Sequence, residues 1–206
     1  IVGRWLLSAK IQISSGFSRL STVMWVFGYG SLLWKVDFPY KDKKMGYIEG
    51  FTRRFWQASH DHRGIPEKPG RVVTLVPSTD PKEKLWGMAY EIAEENVEDV
   101  SKHLDFREKN GYQSFSVQFT PKDDQAKFNL KIYIATEDNF AFLGPAKSEE
   151  IAAQIYESVG PSGKNTEYLF ELANSVRNLF PHTADDHLFE LERLVKHMCS
   201  ASCTTS

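Results

Sequence analysis

With 206 residues the chain has room for one domain with a substantial core and too little for two. Its 41% hydrophobic and 25% charged content is that of a soluble globular protein, and 13% aromatics suit a body with a walled pocket. A formal charge of −2, with Arg53-Arg54 the only adjacent arginine pair, argues against a nucleic-acid partner. No run of about 18 apolar residues is present to cross a membrane. The two cysteines, Cys199 and Cys203, fall in the last eight residues, so no disulfide can staple the core; that usage fits a reducing compartment, the cytoplasm (cytosol).

Residues 1–23 read differently. They carry Arg4, Lys10 and Arg19, several serines and no acid, and the first methionine is Met24. Taking those three charges from 25 basic residues leaves 22 against 27 acidic ones. Two readings stand: a mitochondrial-type presequence, basic and serine-rich, or translated upstream sequence with Met24 as the start. On either reading this leader lies outside the fold, expected as a single domain over 24–198 with a flexible tail at 199–206.

From Met24 to about Thr136 the pattern is that of strands. Met24–Tyr29 is short, apolar and aromatic and ends at glycines. Lys44–Glu49 and Phe51–Ser59 follow, with Gly50 as the turn between them. Beyond a Pro/Gly-rich loop from Gly64 to Gly70, Arg71–Val76 is β-branched and closed by Pro77. Leu85–Ile92 and Tyr112–Phe119 read as strands, and Phe128–Ala135 alternates cleanly, with Phe128, Leu130, Ile132 and Ile134 on one face. One helix interrupts them: Glu94–Lys109 places Val97, Val100, Leu104 and Glu108 on a single face. The last third is helical. Ser148 caps a helix to Val159, Thr166–Phe180 forms another ended by Pro181, and Thr183–Asp186 resembles a capping box opening an amphipathic helix through Met198. Strands without regular intervening helices predict an α+β fold built on a small barrel or curled sheet.

The chemistry concentrates at two places. Val26, Phe27, Gly28, Tyr29, Gly30 and Ser31 follow a strand directly, and glycines there let a ligand approach main-chain N–H groups, a cradle for a carboxylate or oxyanion. The loop is not a dinucleotide fingerprint, because the third glycine position holds Leu33. Nor is Ser31 set in a nucleophile elbow. A tight turn without a ligand is the plain structural alternative. The second place is Glu108, which continues the apolar helical stripe; a carboxylate facing inward is costly to ionise, so its pKa rises unless an arginine pairs with it. Ser158–Asn165 fails as a phosphate loop, since Asn165 replaces the required Ser or Thr. His60 and His62 lack an obvious third ligand, so no metal is expected. Glu94-Glu95 and Glu149-Glu150 suit first helical turns, where the dipole favours acids.

These pieces together resemble the ChaC-like family, the glutathione-specific γ-glutamylcyclotransferases. The blocks that carry the resemblance are Trp25-Val-Phe-Gly-Tyr-Gly-Ser-Leu32, Arg53-Arg-Phe-Trp56, Asp61-His-Arg-Gly64, Pro69-Gly-Arg-Val-Val-Thr-Leu75, Leu104-Asp-Phe-Arg-Glu-Lys109, Gly160-Pro-Ser-Gly163 and Asn165-Thr-Glu-Tyr-Leu169. The resemblance covers about Met24 to Met198 and is strongest to the second, shorter vertebrate type of that family. Asn110 departs from an expected glycine. The resemblance implies a small mixed β-barrel with flanking helices, the γ-glutamylcyclotransferase-like fold. It also implies cleavage of the small-molecule substrate glutathione to 5-oxoproline and Cys-Gly without a cofactor, with Glu108 as acid/base and Val26–Ser31 as the substrate loop. Tyr112, Arg54, Arg71, Asn165 and Tyr168 are candidates for the pocket wall. Oligomeric state stays open. Other readings of the same pieces are a non-catalytic γ-glutamyl-binding or regulatory protein, and a cyclotransferase for other γ-glutamyl compounds.

Overall fold

A computed structural model describes residues 23–107 and 112–203, which divide into two compact units. In chain order the strands and helices are β1 (Met24–Gly28), β2 (Asp42–Glu49), β3 (Phe51–Ser59), β4 (Gly70–Pro77), β5 (Lys84–Ile92), α1 (Val97–Arg107), β6 (Tyr112–Pro121), β7 (Phe128–Ala135), α2 (Ser148–Glu157), β8 (Val159–Gly160), β9 (Gly163–Lys164), α3 (Asn165–Leu179) and α4 (Asp186–Cys203). The fold is mixed α+β, as the sequence predicts.

The first unit comprises residues 23–29, Asp37–Thr52 and Val76–Ile134. Five strands in the order β1-β5-β2-β6-β7 close into a barrel. β1 pairs antiparallel with β5 from Met24↔Ile92 to Gly28↔Met88, and β2 pairs with β5 along its whole length. Closure comes from the parallel bridge Val26↔Lys131 between β1 and β7. Closing the sheet leaves these strands no open edge. Period-two alternation puts Phe27, Ile48, Phe119, Leu130 and Ile132, all buried, on one face of the barrel strands. The rings interlock: Phe27 meets Phe119 edge-on at 5.9 Å, and Phe128 lies 5.1 Å from Phe119 and 4.7 Å from Trp25. Gly50 makes the turn out of β2, accepting a hydrogen bond from the Ser78 N–H at 2.9 Å. Of the four residues expected on one face of α1, Val100 and Leu104 are buried, Val97 is half-buried, and Glu108 lies outside the described residues. Glu94 and Glu95 sit in the first turn of the 3-10 segment preceding it.

The second unit comprises Gly30–Val36, Arg53–Leu75 and residues 135–203. β3 and β4 form a two-stranded ribbon, and the 139–143 segment runs along β3 through Ala58 N–H to Ala141 O (2.8 Å) and Leu143 N–H to Trp56 O (2.7 Å). Helices α2, α3 and α4 pack on one another through Ile151, Ile155, Leu169, Leu172, Leu188, Leu191 and Val195, each completely buried. The buried Glu192 carboxylate is held by Arg177 and, at 2.8 Å, by Lys196.

Three helix termini differ from the sequence expectation. Lys147, not Ser148, occupies the N-cap of α2, and no side chain caps it. The cap of α4 is Asp185 rather than Thr183: its Oδ1 accepts the Leu188 N–H at 3.1 Å. Asp185 is preferred because its other oxygen also accepts from Arg53 Nη1 at 2.8 Å. α4 then runs past Met198 to Cys203, since small polar residues do not break a helix as Gly or Pro does. The phosphate-loop decoy at Ser158–Asn165 is the β8–β9 hairpin, and Gly163 turns it at φ +103°. That hairpin packs on the Asp61–Gly64 loop: Ser162 N–H donates to His62 O at 2.9 Å. A Cβ on Gly160 would fall 2.3 Å from the same oxygen. His60 stacks on Phe140 at 6.3 Å, and the His62 ring faces Ser162, so both histidines have packing roles.

Candidate functional site

β1 carries Val26, Phe27 and Gly28 in the barrel wall, and the Tyr29 hydroxyl donates to Tyr133 O at 2.6 Å. The side chains of this half of the loop are therefore structural, and what it can offer a ligand is main chain. At Gly30 the chain leaves the sheet and Ser31–Leu33 forms a single 3-10 turn. The turn is closed by Leu33 N–H to Gly30 O (3.0 Å) and by Trp34 and Lys35 N–H to Ser31 O (3.1 and 2.8 Å). Gly30 has φ −121°, so space and not handedness requires glycine there. A Cβ would meet Val73 Cγ2 at 3.0 Å and the Tyr168 hydroxyl at 3.1 Å.

That near-contact brings Gly30 to Tyr168, one of the expected pocket residues, and to β4, which carries Arg71. Tyr168 is buried, packs edge-on against Trp34 (5.4 Å) and Phe55 (6.1 Å), and its hydroxyl accepts the Val73 N–H at 3.5 Å. Two residues before Val73 on β4, Arg71 is 7% exposed. Its Nε donates to Gln154 Oε1 at 2.6 Å and its Nη1 to Phe55 O at 3.0 Å. Burial pulls its pKa down, opposed by the charge of Glu150. Asn165 is wholly spent on the Arg71 backbone: Oδ1 accepts the Arg71 N–H at 2.6 Å, and Nδ2 donates to the Arg71 carbonyl at 2.8 Å. Asn165 thus does for β4 what a neighbouring strand would do, a positioning role rather than a ligand contact.

Sequence reasoning missed His187, at the start of α4. Its Nε2 accepts the Phe55 N–H at 3.1 Å, which makes Nδ1 the protonated nitrogen of the neutral ring. Burial, then the charge of Arg54 and, less strongly, of Arg71, holds this imidazole down at about 4, with Asp185 opposing. Arg54 is half-buried and donates to Arg53 O at 2.8 Å. Gln57 was missed too: it is completely buried, and among the described residues neither its Oε1 nor its Nε2 has a hydrogen-bond partner. Strand alternation puts Arg53, Phe55 and Gln57 on one face of β3, so a polar residue on an apolar stripe was the available signal. No signal marked His187, whose surroundings come from β3 and β4.

Glu108 lies outside the described residues, and Tyr112 is the first residue of β6.

Comparison with known proteins adds the following. A family model described as "ChaC-like protein" matches residues 24–198. A curated zebrafish (Danio rerio) protein named glutathione-specific γ-glutamylcyclotransferase 1 is 47% identical over 172 residues, covering 82% of this chain and 87% of that one. The human protein of that name is 42% identical over 186 residues, covering 88% and 82%. The crystal structure of a yeast γ-glutamyl cyclotransferase specific to glutathione superposes with a TM-score of 0.79 at 33% identity, covering 84% of this chain and 96% of the yeast chain.

Proposed function

From the premise that this chain belongs to the ChaC-like family, we propose that it is a glutathione-specific γ-glutamylcyclotransferase. The observation that carries the reading is that the residues matched by the family model, 24–198, span both the Val26–Ser31 loop and Glu108. The names of relatives at 42–47% identity over most of both chains support the substrate.

In glutathione the nucleophile and the electrophile belong to one molecule. The α-amine attacks the γ-carbonyl, a C–N bond closes the five-membered lactam, and the γ-amide C–N bond breaks to release Cys-Gly. One proton leaves the attacking amine and one reaches the departing nitrogen, so no co-reactant is consumed. Holding the chain folded for attack is a proximity effect worth several kcal/mol. The remaining barrier is proton transfer. An amine of pKa about 8 facing an ordinary glutamate at about 4.3 makes the transfer uphill by roughly 5 kcal/mol. A glutamate raised to about 7 cuts this to roughly 1.4 kcal/mol. We assign that role to Glu108, first as base toward the α-amine and then as acid toward the leaving nitrogen. Support comes from its sequence position on the stripe of Val100 and Leu104, both buried. The substrate role falls to the main chain of Val26–Ser31, supported by the engagement of the Tyr29 hydroxyl elsewhere. Arg54, Arg71 and Tyr168 supply the wall, and Asn165 holds Arg71 in place.

The test is incubation of the protein with reduced glutathione and assay of 5-oxoproline and Cys-Gly. Stoichiometric appearance of both is expected. Folded protein at micromolar concentration that yields neither would overturn the reading, and faster turnover of γ-glutamyl amino acids or γ-glutamylamines would replace the substrate.

A further inference from the structure

The second unit contains a positively charged corner, acted on at longer range by Glu150 and Asp185, in which the described side chains supply no ion-paired carboxylate to Arg54 or Arg71. Phe55 is its centre. Arg71 Nη1 donates to the Phe55 carbonyl, and the Phe55 N–H donates to His187 Nε2. In an extended strand a residue's N–H and C=O lie on the same edge, so the guanidinium and the imidazole stand side by side. Arg54, next in the chain, is near enough for its charge to act on His187. Among the described residues neither Arg54 nor Arg71 forms an ion pair; their partners are two main-chain oxygens and the Gln154 amide. Arg53 behaves differently, paired with Asp185 at 2.8 Å. Glu150 acts on the buried Arg71 guanidinium only through its charge and does not contact it, so an anion that pairs with Arg71 directly offsets part of its burial cost. His187 cannot be that counter-charge, because it is neutral or cationic.

Two further observations point to a ligand. Gln57, on the Phe55 face of β3, is completely buried, and among the described residues both its amide atoms lack a partner, a donor and an acceptor matched to an amide. Val73 shares a strand face with Arg71, and its Cγ2 lies 3.0 Å from where a Cβ on Gly30 would stand. The corner therefore adjoins the turn that follows β1.

We propose that Arg71 and Arg54, with the neutral His187 beside them, receive a carboxylate of the γ-glutamyl peptide, and that this corner sets substrate specificity. The assignment rests on the cyclotransferase reading. Glutathione offers two such groups, the α-carboxylate of the γ-glutamyl residue and the carboxylate of glycine, and the experiment separates them.

The experiment compares kcat and KM for three substrates: glutathione, its glycyl monoethyl ester, and 4-aminobutanoyl-Cys-Gly, which lacks the α-carboxylate. Wild type loses about ten- to a hundredfold in kcat/KM on the analogue lacking the bound carboxylate, mainly through KM. Arg71→Met loses a similar factor on glutathione but about threefold or less on that analogue, because the charge it served is already gone. Arg54→Met, at a half-buried position, shows the same pattern more weakly and serves if Arg71→Met does not fold. The analogue on which the variants lose little identifies the carboxylate. Equal losses on all three substrates mean a purely structural arginine and overturn the proposal. So does a wild type indifferent to both analogues, whatever the variants do. No turnover of glutathione by wild type would instead remove the cyclotransferase reading itself.

Discussion

Replacing His187 by glutamine tests the electrostatics of the second unit without reference to any substrate. The imidazole is held at about 4 in the folded protein, against 6.5 ordinarily. The folded state therefore refuses a proton that the unfolded chain accepts, and stability falls as pH drops below about 6.5 until the folded pKa is reached. Between pH 8 and pH 5 the ratio of the two binding terms is about thirtyfold, or roughly 2 kcal/mol; below pH 4 the loss approaches about 3 kcal/mol. Glutamine can accept the Phe55 N–H and does not titrate, so the variant lacks this component. The assay is urea unfolding of wild type and variant at pH 8, 6.5 and 5. The stability difference between them should move by about 2 kcal/mol in favour of the variant from pH 8 to pH 5. A difference independent of pH would refute the claim that Arg54, Arg71 and burial keep His187 neutral.

Other expectations follow from the same contacts. Asn165→Ala leaves the buried N–H and carbonyl of Arg71 unpaired and costs about 2–4 kcal/mol by denaturant unfolding; a cost below about 0.5 kcal/mol would deny Asn165 its strand-like role. Gln57→Met removes two buried atoms that have no partner among the described residues, so thermal unfolding should occur at the same or a higher temperature while KM for glutathione rises. A lowered melting temperature with unchanged KM would make Gln57 structural. Gly30→Val forces a branched side chain into Val73 and the Tyr168 hydroxyl and should abolish turnover while leaving the barrel circular-dichroism signal in place; retained turnover would separate this turn from the site.

Much of the local structure was legible. β3 and β7 have the limits expected, β3 from the Gly50 turn signal before it and β7 from its alternation. The stripe on α1 was equally plain, since Val100 and Leu104 obey the helical period. The family blocks Asp61–Gly64 and Gly160–Gly163 make physical sense only in three dimensions, where one hairpin seats on the other loop with no room for a Cβ at Gly160. Non-local pairing was not legible. Nothing in the order of strands announces that β2 lies between β5 and β6, or that β7 closes on β1 in parallel. The caps at Ser148 and Thr183 were misread because several capping residues compete locally, and for α4 the distant Arg53 favours Asp185. His187 was invisible for the same reason: its neighbours lie more than a hundred residues earlier in the chain.

The central claim is that this chain cyclises the γ-glutamyl group of glutathione with Glu108 moving the protons. The most direct measurement is 5-oxoproline release from glutathione by wild type beside Glu108→Gln, both shown to be folded. The account predicts turnover by wild type and a loss of at least about a hundredfold in the variant. Near-equal rates in the two proteins would contradict it.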